Sequence, residues 1–250
     1  MLKLTITGCT GRMGQIVLKE VNQNPDVEVA GALTRPGNLF VGQDIGNFIG
    51  EGFLNLLISD TIEKAFKEAD VVIDFSHPDA LEKHLTEAIR FQKPYVVCLT
   101  GLNEDQQTVM EKASENIPLL VAPNTSLAMV LLRKLACLTA EILGPSYDVS
   151  ILDMHHRHKS DAPSGTSLSI AKALTRINHQ ENTIECVSLR GGGIRGDHSV
   201  IFTGEKDMIT LEHRTFDRTL FAQGAIKAAQ WLFGKANGFY SMDDVVGISL

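Results

Sequence analysis

Leu4-Thr5-Ile6-Thr7-Gly8-Cys9-Thr10-Gly11-Arg12-Met13-Gly14 decides how the first half of the chain is read. Residues 4–7 make a short strand. Met13, Val17 and Val21 then recur at i, i+4 and i+8, the spacing of one helix face. The glycines at 8, 11 and 14 therefore punctuate a strand-to-helix turn, the setting in which a dinucleotide pyrophosphate is held. Glycine lets backbone approach a phosphate with no Cβ in the way. The exposed N–H groups of a helix start face the anion. The spacing is G-x-x-G-x-x-G rather than the commoner G-x-G-x-x-G. A ligand-free tight turn is the competing reading, and the strand-turn-helix context favours the nucleotide.

Outward from that turn, strands are expected at 27–33, 71–75, 95–99 and 119–122. Helical patterns lie at 61–69, 79–90 and 104–115. Short apolar strands separated by helices imply a parallel sheet covered on both faces. From about residue 127 the rhythm changes. A helix at 127–143 is stopped by Gly144-Pro145, and a strand at 148–154 runs into His155-His156-Arg157-His158-Lys159. A helix is expected at 165–174. Strands at 200–202 and 208–212 flank Gly204-Glu205-Lys206-Asp207 as a hairpin. This section reads as α+β, and 221–233 is helical again.

Composition narrows the function classes. The 250 residues are 44% hydrophobic and 21% charged, with a mean hydropathy of +0.02. These are the proportions of a globular protein with a sizeable core. A net charge of -7 argues against nucleic-acid or membrane-surface partners, which need a basic field. No apolar run approaches a membrane span. The first residues are too soon broken by glycine to be a signal peptide. Cys9, Cys98, Cys137 and Cys186 are far apart, without metal-ligand spacing, which suits a reducing cytoplasm.

Two further places carry chemistry. Beyond the second strand stand Thr34 and Arg35, with no carboxylate to take a ribose hydroxyl. Arg35 suits a 2′-phosphate or a stack on adenine, or is a solvated loop arginine. The cluster at 155–159 admits three readings. Imidazoles are metal ligands, but Arg157 and Lys159 repel a cation and no acidic or thiol spacing supports one, so no metal is expected. A solvated cationic turn is the second reading. The third is a proton-transfer site, with histidine exchanging a proton and lysine meeting a developing anion. Ser164-Gly165-Thr166 then opens a helix, offering N–H groups and hydroxyls to a small carboxylate.

These stretches together resemble the dihydrodipicolinate reductase family. The match runs through Gly8 to Gly14, Val72-Ile73-Asp74-Phe75-Ser76, the H-H-R-H-K run and Asp161-Ala162-Pro163-Ser164-Gly165-Thr166. It continues in Arg190-Gly191-Gly192-Gly193 and in the tail around Gly224, Trp231 and Tyr240-Ser241-Met242-Asp243-Asp244-Val245. The resemblance covers essentially the whole chain, and H-H-R-H-K followed by D-A-P-S-G-T is its most specific part. It implies an α/β fold: a Rossmann-type doubly wound parallel sheet domain (1–126 and 217–250) plus a smaller α+β domain (127–216) for substrate binding and tetramerisation. It further implies NAD(P)H-dependent reduction of a small cyclic dicarboxylate, 4-hydroxy-tetrahydrodipicolinate, in lysine and diaminopimelate synthesis, by a cytoplasmic homotetramer.

By the same resemblance, His155 is the acid/base histidine and Lys159 the catalytic lysine. His156, Ser164, Gly165 and Thr166 bind substrate. Gly8, Cys9, Thr10, Gly11, Arg12, Met13, Arg35, Cys98, Leu99, Thr100, Ala122, Pro123, Asn124 and Thr125 contact the cofactor, NADPH or NADH. The chain departs from the family pattern at Thr34, often acidic there, at Cys98, usually glycine, and at Thr125, commonly Phe or Met. All three lie in the cofactor segments. The rival readings are a two-domain dehydrogenase of the aspartate or homoserine type and a non-catalytic nicotinamide sensor. Neither calls for His155 and Lys159 ahead of D-A-P-S-G-T.

Overall fold

A computed structural model describes residues 1–178 and 184–247. The chain divides into two compact units, Met1–Thr125 with Thr219–Gly247, and Ser126–Arg218. The first unit runs β1 (Leu2–Thr7), α1 (Arg12–Asn22), β2 (Val27–Leu33), α2 (Ile45–Ile49), α3 (Ile62–Phe66), β3 (Val71–Asp74), α4 (Leu81–Arg90), β4 (Tyr95–Val97), α5 (Glu104–Ser114) and β5 (Pro118–Val121). The second holds α6 (Leu127–Leu143), β6 (Asp148–His155), α7 (Gly165–Asn178), β7 (Glu185–Arg190), β8 (Asp197–Thr203) and β9 (Met208–Arg214). The chain then returns to the first unit with α8 (Thr219–Leu232), β10 (Gly238–Ser241) and α9 (Met242–Val246).

The first unit's sheet has the order β10-β5-β4-β3-β1-β2 and is parallel throughout. Its central strands are buried on both faces, which is why they read as unbroken apolar runs. Val72, Tyr95, Val97 and Leu119 pack with Phe66, Leu85, Ala88, Met110 and Ala113 of α3, α4 and α5. Helices α1 and α8 pack together beside the sheet, α8 against β3, β4 and β5. The doubly wound sheet expected from the sequence is present. Succession reverses between β1 and β3, so the C-terminal ends of Thr7, Leu33, Asp74, Val97 and Val121 share one edge around a topological switch point, where ligands bind in such sheets.

Several boundaries differ from the sequence expectation. The helix expected at 61–69 is only α3, because the chain must turn at Phe66 to Ala69 to enter β3. The strand expected at 95–99 ends at Val97, after which Cys98 N–H donates to Asp74 O. Strand β10 was not anticipated. It is a four-residue edge strand whose pairing with β5 lies well over a hundred residues away in sequence.

The second unit has the order β7-β6-β8-β9, with β6 parallel to β7 and antiparallel to β8. The hairpin of β8 and β9 is as expected, closed by Gly204 N–H to Asp207 O. Helices α6 and α7 cover one face, burying Leu132, Ala136, Ile170 and Leu174 against Ile151, Val200 and Phe202. Residues of the other parity, Leu152 paired with Val187 and Met154 paired with Leu189, face away from that core. Val187 and Leu189 are 48% and 46% exposed.

Candidate functional site

The edge of the first unit's sheet is built by backbone. Gly8 has φ 66°, and a Cβ there would collide with the Phe75 carbonyl. One on Gly14 would strike the Gly8 carbonyl, so α1 could not start this close to β1 with any other residue. Gly11 N–H closes the turn onto Gly8 O at 2.9 Å. Gly11 is also the N-cap of α1 and supplies no side-chain cap, which leaves the helix start to bind an anion. Thr10 is tied to the end of β2 by its hydroxyl contact with Thr34, 2.7 Å, and by Asn38 donating to it at 3.2 Å. Arg12 and Arg35 are exposed and Met13 is half-buried.

Of the other expected cofactor positions, Cys98 and Leu99 are buried just past β4 and Thr100 is exposed. Past β5, Ala122 is buried, Pro123 exposed and Asn124 half-buried. Thr125 donates to Phe221 O at 2.6 Å, and Gly224 leaves the room its carbonyl occupies. Burial pushes the Cys9 thiol up to about 12, so this cysteine is a packing group rather than a nucleophile. A cradle that a Cβ would fill, beside an uncapped helix start at the switch point, fits the pyrophosphate of a nicotinamide dinucleotide.

Beneath this edge lies a network that the sequence reading passed over. Asp74, fully buried at the end of β3, accepts from the Thr7 hydroxyl, from Tyr95 OH at 2.7 Å and from Ser76 N–H at 2.8 Å. His84 Nδ1 stands 3.6 Å from it. Burial would raise its pKa, but His84, Ser76 and Thr7 outweigh that and hold the carboxyl below its ordinary value. Burial and Asp74 in turn push the Cys98 thiol well up.

The second unit's cluster is built by side chains on three adjacent strands. Asp153 and His155 are two apart on β6 and share a face. The register sets His198 of β8 opposite Asp153 and Arg190 of β7 opposite His155. Asp153 Oδ1 lies 2.6 Å from His155 Nδ1 and 3.0 Å from Arg190 Nη1. Its Oδ2 accepts from Ser164 N–H at 2.6 Å and from Arg190 Nη2 at 3.3 Å. Burial opposes ionisation, yet Ser164, Arg190 and His155 hold the Asp153 carboxyl far below its ordinary value. His155 is shifted down: burial dominates, Asp153 works against it, and Lys159 and Arg190 add to it. Lys159 Nζ pairs with Asp161 at 2.7 Å.

His156 is half-buried at the strand end, and His158 and Arg157 are exposed. Ser164 points inward rather than toward solvent. Its N–H is taken by Asp153, while its hydroxyl meets His198 Nε2 at 3.2 Å and caps Ser167 N–H of α7. Gly165 is exposed and Thr166 half-buried at the helix start. His198 is buried, and burial followed by the neighbouring His155 pushes its pKa down to about 4. His198 Nε2 is engaged by Ser164, while its buried Nδ1 has no hydrogen-bond partner. Asp153, His155 and His198 offer three ligand atoms within 4.8 Å of one another. Arg190 already occupies both oxygens of Asp153, and a divalent cation would sit against that guanidinium.

The sequence reading names His155, Lys159 and the helix start as site positions; it gives Arg190 only as part of a family-like stretch and does not single out Asp153 or His198. The spacing of Asp153 two residues before His155 was the signal available. Arg190 and His198 became visible only with the sheet register.

Comparison with known proteins agrees with both halves. The N-terminal model of dihydrodipicolinate reductase matches residues 2–125 and the C-terminal model matches residues 128–246. A 4-hydroxy-tetrahydrodipicolinate reductase from Anaplasma marginale is 41% identical over 261 residues, covering 98% of this chain and 99% of its own. One from Alkalilimnicola ehrlichii is 39% identical over 264 residues, covering 98% and 99%. In fold, the chain is similar to a dipicolinate-bound dihydrodipicolinate reductase from Paenisporosarcina, with a TM-score of 0.76, 23% identity, and coverage of 96% and 97%. The chain belongs to the dihydrodipicolinate reductase family, the 4-hydroxy-tetrahydrodipicolinate reductases of lysine and diaminopimelate biosynthesis.

Proposed function

We propose that this chain reduces 4-hydroxy-tetrahydrodipicolinate, by way of dihydrodipicolinate, to tetrahydrodipicolinate, using NADPH or NADH. The observation that carries this reading is the His155 imidazole, hydrogen-bonded to a buried carboxylate and followed by Lys159 and the start of α7. When bound, the reduced nicotinamide supplies the hydride. Residues Gly8 to Met13 would hold its pyrophosphate by backbone N–H groups, and Arg35 would meet its adenosine end. Cys98 to Thr100 and Ala122 to Thr125 line the same sheet edge. Gly165 and Thr166, in the first turn of α7, would lie against a substrate carboxylate, with Ser164 bracing that turn from within and His156 nearby in sequence. His155 and Lys159 meet the negative charge that grows on the substrate and supply its proton, orientation and charge complementarity being the protein's share of the work. The dipicolinate bound to the Paenisporosarcina relative supports a cyclic dicarboxylate.

The same reading makes the molecule a cytoplasmic homotetramer. The open face of the second unit's sheet presents Val187 and Leu189 to solvent, and its outer strand β9 adds Met208 at 62% exposure. Such faces and edges are usually covered. Among the described residues no helix is long and apolar enough to cross a membrane. Oxidation of NADPH and NADH, followed with enzymatically generated substrate, tests the activity. Substrate-dependent turnover is expected, and its absence with both cofactors overturns the reading. Light scattering tests assembly, with a strict monomer as the contrary result.

A further inference from the structure

We infer that Asp153 is a positioning residue for the reaction: it holds His155 with its proton on Nδ1 and leaves Nε2, beside Gly196, as the nitrogen that exchanges a proton with substrate. This rests on the reading of His155 as the acid/base group.

Asp153 Oδ1 and His155 Nδ1 are 2.6 Å apart. Two acceptors cannot sit at that distance, so either the carboxyl or the imidazole nitrogen carries the proton. The carboxylate already faces donors on both sides: Arg190 Nη1 beside Oδ1, and Ser164 N–H with Arg190 Nη2 beside Oδ2. Ser188 Oγ adds a longer contact at 3.4 Å. Protonating either oxygen would neutralise the charge that these three bonds from Arg190 and Ser164 complement, and would weaken all of them. Asp153 is therefore the anion, and the proton sits on Nδ1.

The support reaches further back. Arg190 is itself fixed by donating to Asp161 O at 2.7 Å, and the Asp161 carboxylate pairs with Lys159. One chain of contacts thus runs from the α7 cap through Asp153 and Arg190 to the lysine, so that His155 and Lys159 are anchored to the same frame. The groups facing the His155 ring are Asp153, Arg190, Lys159 and His198, the last with its ring centroid at 5.2 Å in an edge-on arrangement.

Nε2 has a different neighbour. Gly196 is buried with φ 150°, and a Cβ built there would stand 3.2 Å from Nε2. Only glycine both adopts that backbone and keeps the approach to Nε2 open. In the step itself Nε2, bare at rest, takes up a proton from solvent and delivers it to the substrate as hydride arrives, while the N–H on Nδ1 stays directed at Asp153. Asp153 remains a carboxylate throughout, and no electrons pass through the histidine.

An amide cannot replace this carboxylate. With donors on both sides, Asp153→Asn sets its own N–H groups against either Arg190 and Ser164 or His155, whichever way it is turned. The test combines two readouts. The first is ¹⁵N NMR of the parental protein with ring-labelled histidine, compared with His155→Ala to identify the His155 signals. The expected spectrum has a protonated Nδ1 and a bare Nε2 near neutral pH. A protonated Nε2 with a bare Nδ1 overturns the inference without any Asp153 variant having to fold. The second is kinetics of Asp153→Asn. Turnover is expected to fall about 10²-fold, the low end for lost acid–base assistance, with the cofactor Kd and substrate KM within a few-fold. The histidine limb of the pH profile should shift, and Asp153→Glu should recover part of the rate. Parental kcat and pH profile in Asp153→Asn overturn the inference. The parent reading fails separately, if His155→Ala itself keeps parental turnover.

Discussion

The glycine edge of the first unit and the histidine cluster of the second, both assigned to charge in the proposed function, are made of different material. The edge is backbone. Its specificity lies in where a Cβ is missing, at Gly8 and Gly14, and in the uncapped start of α1. Its buried charge, Asp74, is sealed among Thr7, Ser76, Tyr95 and His84 and touches no open surface. The cluster is side chain. Its buried charge, Asp153, hands its effect to a histidine that is partly open. The same device, a buried carboxylate saturated by donors, is a structural pin in one unit and an orienting group in the other.

The largest expected effect tests that division. His155→Ala should lower kcat by about 10²–10⁴, the usual range for lost acid–base assistance. Lys159→Ala should lower it by about 10²–10³, as for other groups that meet charge only in the transition state. Cofactor Kd should change little in either, measured by fluorescence titration with NADPH. If both variants keep near-parental kcat, the 155–159 run is a solvated turn and the division between the units collapses.

That contrast also explains what the sequence disclosed. A turn made by backbone leaves its mark in consecutive residues, so G-x-x-G-x-x-G after a strand discloses the close β1-to-α1 turn. The parallel sheet was legible because strands buried on both faces must be apolar at every position, as in Val71-Val72-Ile73. A site made by side chains leaves only its local members visible. His155, Lys159 and Ser164 stand within ten residues, whereas Arg190 and His198 join through the pairing of β6 with β7 and β8. Strand β10 escaped for a related reason. Four residues with a half-exposed Phe239 carry little periodicity, and parallel pairing with β5 supplies what the local sequence lacks.

Asp74 supplies the converse test. Asp74→Asn removes the charge from a sealed site, which typically costs about 3 kcal/mol or more when one partner of a buried pair is lost. The rotating hydroxyls of Thr7 and Tyr95 can recover part of this. Urea denaturation should show a lower midpoint, while kcat of the folded fraction stays within a few-fold of parental. A kcat loss as large as that of His155→Ala, at unchanged stability, would make Asp74 a second functional group and erase the contrast.

A smaller effect follows from His198, whose folded pKa is pushed down to about 4 from 6.5. The sign follows from which state takes the proton first. Below 6.5 the unfolded chain binds a proton that the folded chain refuses. Stability is therefore intact above 6.5, falls as the pH drops toward 4, and levels off below. The loss amounts to at most about 3 kcal/mol. His155 and His213, both also shifted down by burial, steepen the same window. His198→Gln keeps a side chain able to hydrogen-bond Ser164 and does not titrate. It should flatten the stability curve between pH 6.5 and 4, measured by urea melts at closely spaced pH. An unchanged slope would remove His198 from the account.

The smallest effect is expected at Arg35, an exposed side chain just past the end of β2. Thr34 is buried, with its hydroxyl held by Thr10, so the end of β2 offers an adenosine ribose no carboxylate. A carboxylate there would repel a 2′-phosphate, and its absence removes that penalty. The guanidinium next to it can pair with phosphate in two places. NADPH should therefore be used at least as well as NADH. An exposed pair is screened by solvent, however, and contributes at most about 1 kcal/mol. Arg35→Ala should accordingly lower kcat/KM for NADPH by only about 3–5-fold, leave NADH nearly unchanged, and lose its effect as salt is raised. An equal loss with both cofactors would make Arg35 an adenine stack instead of a phosphate partner. A strong parental preference for NADH would mean that backbone alone, without Arg35, sets the affinity of this edge.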